Sequence, residues 1–183
     1  QDWGLPPVNP VALAAAYFQP FRRLLAAVMQ HAGALRMDHA MALMRLFWTS
    51  PSGGTYVSYP LRALLGILAI ESHRHRCMVI GEDLGNVAPQ MRQAMAEHAL
   101  LSYRPLIFER QDGGAFRPPS QWPMTALAVV STHDLPTLAG FWSGADLSVQ
   151  QRLGWLRDDA YLQALLARGQ DRTHLLAALH AEG

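Results

Sequence analysis

One cysteine in 183 residues, Cys77, has no internal partner for a disulfide. The chain is therefore not a cross-linked secreted scaffold, and it suits a reducing compartment such as the cytoplasm. Neither sign of charge dominates: 15 Lys and Arg stand against 14 Asp and Glu, a formal net charge of +1. The cations are scattered, so neither nucleic acid nor an anionic membrane is indicated as a partner. Apolar runs are broken by Arg, Pro or His well short of the ~20 residues of a membrane helix. Repeats and low-complexity tracts are missing too. The opening residues Gln1-Asp2-Trp3-Gly4 lack a Met, a basic n-region and an apolar h-region. They read as the interior of a longer protein, not as a signal peptide.

What is present is a hydrophobic half, 50% of the residues, in an alternating pattern. A Pro-rich loop over residues 2–10 leads into helical spacing from Val11 to about Ala32: Leu13, Tyr17, Phe21, Leu24, Leu25 and Val28, with Gly33 as a stop. Ala34 to Asp38 reads as a strand. Pro51 to Gly54 reads as a loop, and Tyr59 to His73 as a helix. Cys77 to Ile80 is a second strand, Ala88 to His98 a helix, and Leu101 to Phe108 a third strand. Residues 110–123 form a Gly- and Pro-rich loop. Ala126 to Val130 is a fourth strand, and the chain beyond Phe141 is helical.

Short apolar strands alternating with helices imply right-handed βαβ units and a parallel sheet. The fold expected is α/β: residues 1–145 as part of a (β/α)8 barrel, and 146–183 as a helical subdomain of it. Barrel sites lie at the C-terminal strand ends, where three of these strands run into acidic and His residues. A doubly wound open sheet gives the same alternation, but no glycine-rich phosphate fingerprint follows any strand.

The first cluster is Arg36-Met37-Asp38-His39. Strand alternation turns Arg36 and Asp38 the same way, and an adjacent Arg favours an ionised carboxylate, as a nucleophile requires. The plainer reading is an Arg–Asp pair closing a strand. In Gly81-Glu82-Asp83-Leu84-Gly85, Glu82 follows a buried strand, and burial favours a protonated general acid. Asp83 suits a cap for the following turn or a substrate ligand. Thr132-His133-Asp134 offers hydrogen bonds to sugar hydroxyls, or a mutually satisfied pair.

Taken together the three carboxylates suit a retaining glycosidase mechanism. That reaction needs a nucleophile and an acid/base about 5–5.5 Å apart, close to the ~4.8 Å between neighbouring strands. His73, His75 and Cys77 would share a face if extended, but a closed zinc site needs a fourth ligand. A basic cluster at a helix end is the better reading, so no metal is expected. The eight methionines read as core filler.

Five blocks then occur in a telling order: Asp2-Trp3-Gly4-Leu5-Pro6-Pro7, Leu35 to His39, Gly54-Thr55-Tyr56-Val57-Ser58-Tyr59-Pro60, Val79 to Gly85, and Thr132-His133-Asp134-Leu135-Pro136-Thr137. This series resembles the bacterial 4-α-glucanotransferases, the amylomaltase branch of the α-amylase superfamily. The resemblance implies Asp38 as nucleophile after the fourth barrel strand and Glu82 as acid/base after the fifth. It also implies Asp134 as transition-state stabiliser after the seventh. Arg36, His39 and His133 would hold nucleophile and sugar, and Trp3 would be an aromatic platform. The implied partners are maltooligosaccharide or α-glucan donors and acceptors, together with the remainder of the parent barrel. No cofactor is implied. The other barrel strands are expected outside residues 1–183, which would leave this stretch inactive alone. A retaining α-glucan hydrolase and an inactive sugar-binding domain are the alternatives.

Overall fold

The computed structural model describes residues 4–183. They form two compact units that divide between Tyr103 and Arg104. The boundary expected at residue 145 falls inside the second.

The first unit opens with α1 (Pro10–Ala15) and α2 (Gln19–Met29). Asn9 starts α1 by accepting hydrogen bonds from the Val11 and Ala12 amides, at 2.9 and 3.1 Å. The sequence predicts one continuous helix here, and the structure breaks it. Pro20 lies in the first turn of α2; its ring would clash with the carbonyl four residues back, and it has no N–H to give. Tyr17 and Phe18 therefore take left-handed conformations, φ 50° and 58°, and the chain restarts.

Strand β1 (Ala34–Met37) follows, then a 3-10 turn over Ala40–Leu43 and a hairpin, β2 (Arg45–Ser50) with β3 (Gly53–Ser58). The sequence predicts only a loop over Pro51 to Gly54, whereas the structure builds a hairpin around it, with aromatic and β-branched residues flanking the turn. Phe47 and Tyr56 face each other across the hairpin, with ring centroids 5.1 Å apart and edge to face. Phe47 lies over Gly54, where a Cβ would collide with its ring. Helix α3 (Leu61–His75), strand β4 (Met78–Gly81) and helix α4 (Pro89–Glu97) complete the unit, ahead of β5 (Ser102–Pro105).

Its core joins α1–α4 to the strands: Leu13, Leu25, Met29, Leu64, Leu65, Leu68, Val79, Met91 and Met95 are all buried. Three methionines thus fill the core, as expected, whereas Met78 and Met124 are exposed. Glu71 is also buried, at 3% exposure. Arg74 at 2.9 Å, Arg22 at 3.5 Å and His75 at 3.6 Å surround its carboxylate. His75 thus faces Glu71 within α3, in a helix rather than an extended segment.

The expected four-stranded parallel sheet is only partly formed. Pairing is confined to two-stranded sheets among the described residues: β1–β4, β2–β3, and β5 with β6 (Ala126–Val129). The pair β1–β4 is parallel, with Ala34 opposite Met78 and Met37 opposite Gly81. Beyond it a single parallel bridge, Ile80 to Leu101, reaches towards β5. β5 ends at Pro105, and Leu106–Phe108, read from sequence as strand, coil into a 3-10 turn.

The second unit contains β6 (Ala126–Val129) and three helices, α5 (Leu138–Ser143), α6 (Ala145–Arg152) and α7 (Asp158–Ala181). Arg168 of α7 grips Asp146 of α6 through two hydrogen bonds of 2.8 Å. It also donates to the Phe141 carbonyl at 2.6 Å. The Arg168 hydrogen bonds hold the Asp146 carboxyl below its ordinary value of 3.8; burial opposes the shift and the Arg168 charge adds to it. A depressed carboxyl stabilises the fold above its unfolded value and loses that contribution as pH falls through the folded one. Asp146→Asn is therefore expected to lower stability by about 1–2 kcal/mol near neutral pH. The gap to wild type should close only in acid, below about pH 4. Urea melts of both proteins across that range check this; a gap that persists undiminished at the acid end contradicts it.

Candidate active site

Asp38 and Glu82 are the residues that immediately follow the last paired positions of β1 and β4, Met37 and Gly81. The register sets them level on adjacent strands, which lie ~4.8 Å apart. Gly81 sits in close quarters: a Cβ would come within 2.7 Å of the Met95 methyl, which would have to move, and 3.1 Å of Ala40 Cβ.

The two carboxyl groups have unlike surroundings. Asp38 is open, with its side chain 68% exposed, and the Arg36 guanidinium contacts its Oδ1 at 2.6 Å. Alternation along β1 brings these two together, as the sequence predicts. Glu82 is buried, at 8% exposure, also in line with the sequence. Its Oε2 accepts the His39 amide and its Oε1 the Leu84 amide, both at 2.8 Å. Two main-chain donors from different segments thus fix the plane of this carboxyl. His39 has left-handed backbone angles, φ 44° and ψ 58°.

Asp83, a candidate turn cap or sugar ligand by sequence, is enclosed by protein. It is 1% exposed, and its Oδ1 accepts the Tyr103 amide at 3.0 Å. Arg92 stands 3.9 Å from its other oxygen. The side chain points into the protein because it follows Glu82 on a segment already tied to both neighbours; it anchors the start of β5. Tyr103 was not singled out from the sequence. Its ring lies 4.8 Å beneath the Arg36 guanidinium, so Asp83 holds Tyr103, Tyr103 supports Arg36 and Arg36 contacts Asp38. The available signal was an aromatic residue in the strand that follows the Glu82 segment.

In the second unit, His133 and Asp134 lie in the turn after β6. His133 Nε2 is 3.3 Å from Asp134 Oδ2, with side chains 70% and 80% exposed. Thr132 shapes the turn, its Oγ1 accepting the Asp134 amide at 3.2 Å, and Ser131 Oγ donates to the Pro136 carbonyl at 2.7 Å. Both side chains of the His–Asp pair are left open to solvent. Trp3 lies outside the described residues.

An open carboxylate on an arginine beside a buried carboxyl held by amides is an arrangement able to divide nucleophilic and proton-transfer roles. Comparison with known proteins places the chain in a family. A 4-alpha-glucanotransferase from Haemophilus influenzae is 43% identical over 187 residues, covering 100% of this chain and 26% of that protein. One from Mycobacterium tuberculosis is 39% identical over 191 residues, again 100% of this chain and 26% of the relative. The chain therefore spans about a quarter of the length of the curated relatives it matches. The crystal structure of amylomaltase from Corynebacterium glutamicum superposes with a TM-score of 0.92 at 36% identity, covering 100% of this chain and 26% of that one. The family described as 4-alpha-glucanotransferase matches residues 1–182, and this chain belongs to it.

Proposed function

We propose that this chain carries the catalytic carboxylates of a 4-α-glucanotransferase that moves a segment of an α-1,4-glucan to a new 4-hydroxyl acceptor. The observation that carries the reading is the level placement of Asp38 and Glu82 at the ends of paired parallel strands, one open and one buried. Glu82 protonates the leaving glycosidic oxygen while an Asp38 oxygen attacks the anomeric carbon. The glycosidic C–O bond breaks, and a covalent glycosyl–Asp38 ester forms with inversion. The departing saccharide takes the Glu82 proton. Glu82, now a carboxylate, accepts the proton of an incoming 4-hydroxyl; that oxygen displaces Asp38, and a second inversion restores the α configuration. Asp134 and His133 hold ring hydroxyls as positive charge develops at the anomeric carbon, and Arg36 keeps Asp38 aimed. The His39 imidazole and Trp3 complete sugar contact. Asp83 acts through Tyr103 and not by touching sugar. No step needs a redox or phosphate group.

In this reading β1, β4, β5 and β6 correspond to the fourth to seventh strands of a (β/α)8 barrel. The partners are maltooligosaccharide or α-glucan donors and acceptors and the rest of that barrel. The site of action is the cytoplasm, in maltodextrin or glycogen metabolism. Among the described residues no helix is long and apolar enough to cross a membrane.

Incubating the full-length protein with maltotriose tests the reaction. Transfer yields glucose together with chains longer than the substrate. Glucose and maltose alone would identify a hydrolase, and no turnover at all would leave only sugar binding.

A further inference from the structure

The hydrogen bonds between β1 and β4 hold one irregularity, and it falls at the site. Met78 donates to the Gly33 carbonyl at 2.9 Å, and four residues further along each strand Glu82 donates to the Met37 carbonyl at 2.9 Å. In a regular parallel ladder the next bond runs from the His39 amide to the Glu82 carbonyl. It runs instead from the Ala40 amide, at 3.0 Å. One extra residue has been inserted into the first strand as a β-bulge, and His39, at φ 44°, is where the chain turns left-handed to absorb it. The amide that the bulge releases from the ladder is the one that donates to Glu82 Oε2 at 2.8 Å.

We infer that the bulge at Asp38–His39 is a positioning device for the acid/base carboxyl, and that His39 acts in it through its backbone, apart from any contact its imidazole makes with sugar. The inference rests on the acid/base reading of Glu82 proposed above. A carboxylate has about four acceptor sites. The His39 and Leu84 amides take one on each oxygen, which leaves one on each and fixes the plane in which the catalytic proton is carried. A carboxyl held by only the Leu84 amide is free to rotate about its last bond. The bulge also ties the two catalytic loops together, since the residue next to Asp38 supplies the donor.

Left-handed backbone is costly for residues with a Cβ and most so for β-branched ones, whereas glycine and asparagine adopt it readily. His39→Gly, His39→Ala and His39→Val all lack the imidazole, so differences among them report the backbone. On maltotriose, the kcat/KM of the full-length enzyme should fall in the order Gly, Ala, Val, with Val about tenfold or more below Gly. His39→Asn should lie near Gly. On α-maltosyl fluoride, whose leaving group needs no proton, the Gly-to-Val gap in kcat/KM for fluoride release should shrink to less than about threefold. Melting temperature and maltooligosaccharide binding confirm that each variant folds; if Val does not, the Gly–Ala pair carries the comparison, with the same order and the same shrinkage. Equal activities of Gly and Ala on maltotriose, or an equal gap on both substrates, overturn the inference. Failure of the acid/base reading itself is seen separately, in Glu82→Gln losing both substrates alike.

Discussion

Asp38→Asn is expected to lower turnover of α-1,4-glucans by the full-length protein by on the order of 10⁴-fold or more, the scale on which losing a covalent nucleophile acts. The substitution is nearly isosteric. It removes the charge that attacks the anomeric carbon and leaves an amide that cannot form the glycosyl ester. The rest of the site has other supports: Arg36 still rests on the Tyr103 ring, and Glu82 still has its two amide donors. Binding of maltooligosaccharide should therefore survive within about tenfold while turnover collapses, because the lost interaction belongs to the transition state and the covalent intermediate. Calorimetric titration alongside a maltotriose assay separates the two quantities. Retention of more than about one part in a hundred of wild-type turnover, a loss of less than ~3 kcal/mol in transition-state free energy, would mean that another group is the nucleophile.

Such a test was legible in the sequence because strand alternation and strand ends are local properties. Arg36 and Asp38 differ by two positions on a strand, and that alone brings guanidinium to carboxylate at 2.6 Å. Burial of Glu82 followed from the apolar run before it. The helices α3, α4 and α7 were legible for the same reason. What was not legible depends on partners far away in sequence. The β2–β3 hairpin was hidden because Pro51 and Ser52 at its turn looked like the middle of a loop; only cross-strand pairs such as Phe47 with Tyr56 define it. Asp83 was read as a possible sugar ligand because its chemistry permits that role. Its surroundings include the Tyr103 amide and Arg92, twenty and nine positions away. The bulge at His39 leaves no compositional trace at all, since it is a mismatch of one residue between two strands. The break at Tyr17–Phe18 is the opposite case: Pro20 announced it, and hydrophobic spacing masked it.

Glu82→Gln tests the other carboxyl, with the opposite selectivity. A glutamine keeps the size of the side chain but has no proton to give and cannot receive one from the acceptor hydroxyl. General acid–base catalysis contributes about 10²–10⁴-fold, so turnover of maltotriose should fall by that factor. A substrate whose leaving group departs unaided, such as α-maltosyl fluoride, should lose much less in the first step, within about tenfold in kcat/KM for fluoride release, while breakdown of the ester by a sugar hydroxyl stays slow. Gln can present its carbonyl oxygen to only one of the two amides now shared between Oε1 and Oε2. Its NH2 group must then face the other N–H, donor against donor. Some loss on the fluoride is therefore expected from local rearrangement, and it marks the floor below which the comparison cannot resolve a role. The added signature is rescue. A small anion such as azide, which needs no deprotonation to act as an acceptor, should intercept the glycosyl–Asp38 ester in the variant and restore turnover of the fluoride, giving a glycosyl azide of retained α configuration. An equal loss on maltotriose and on the fluoride, with no azide product, would remove Glu82 from proton transfer and leave it a structural carboxylate at the end of β4.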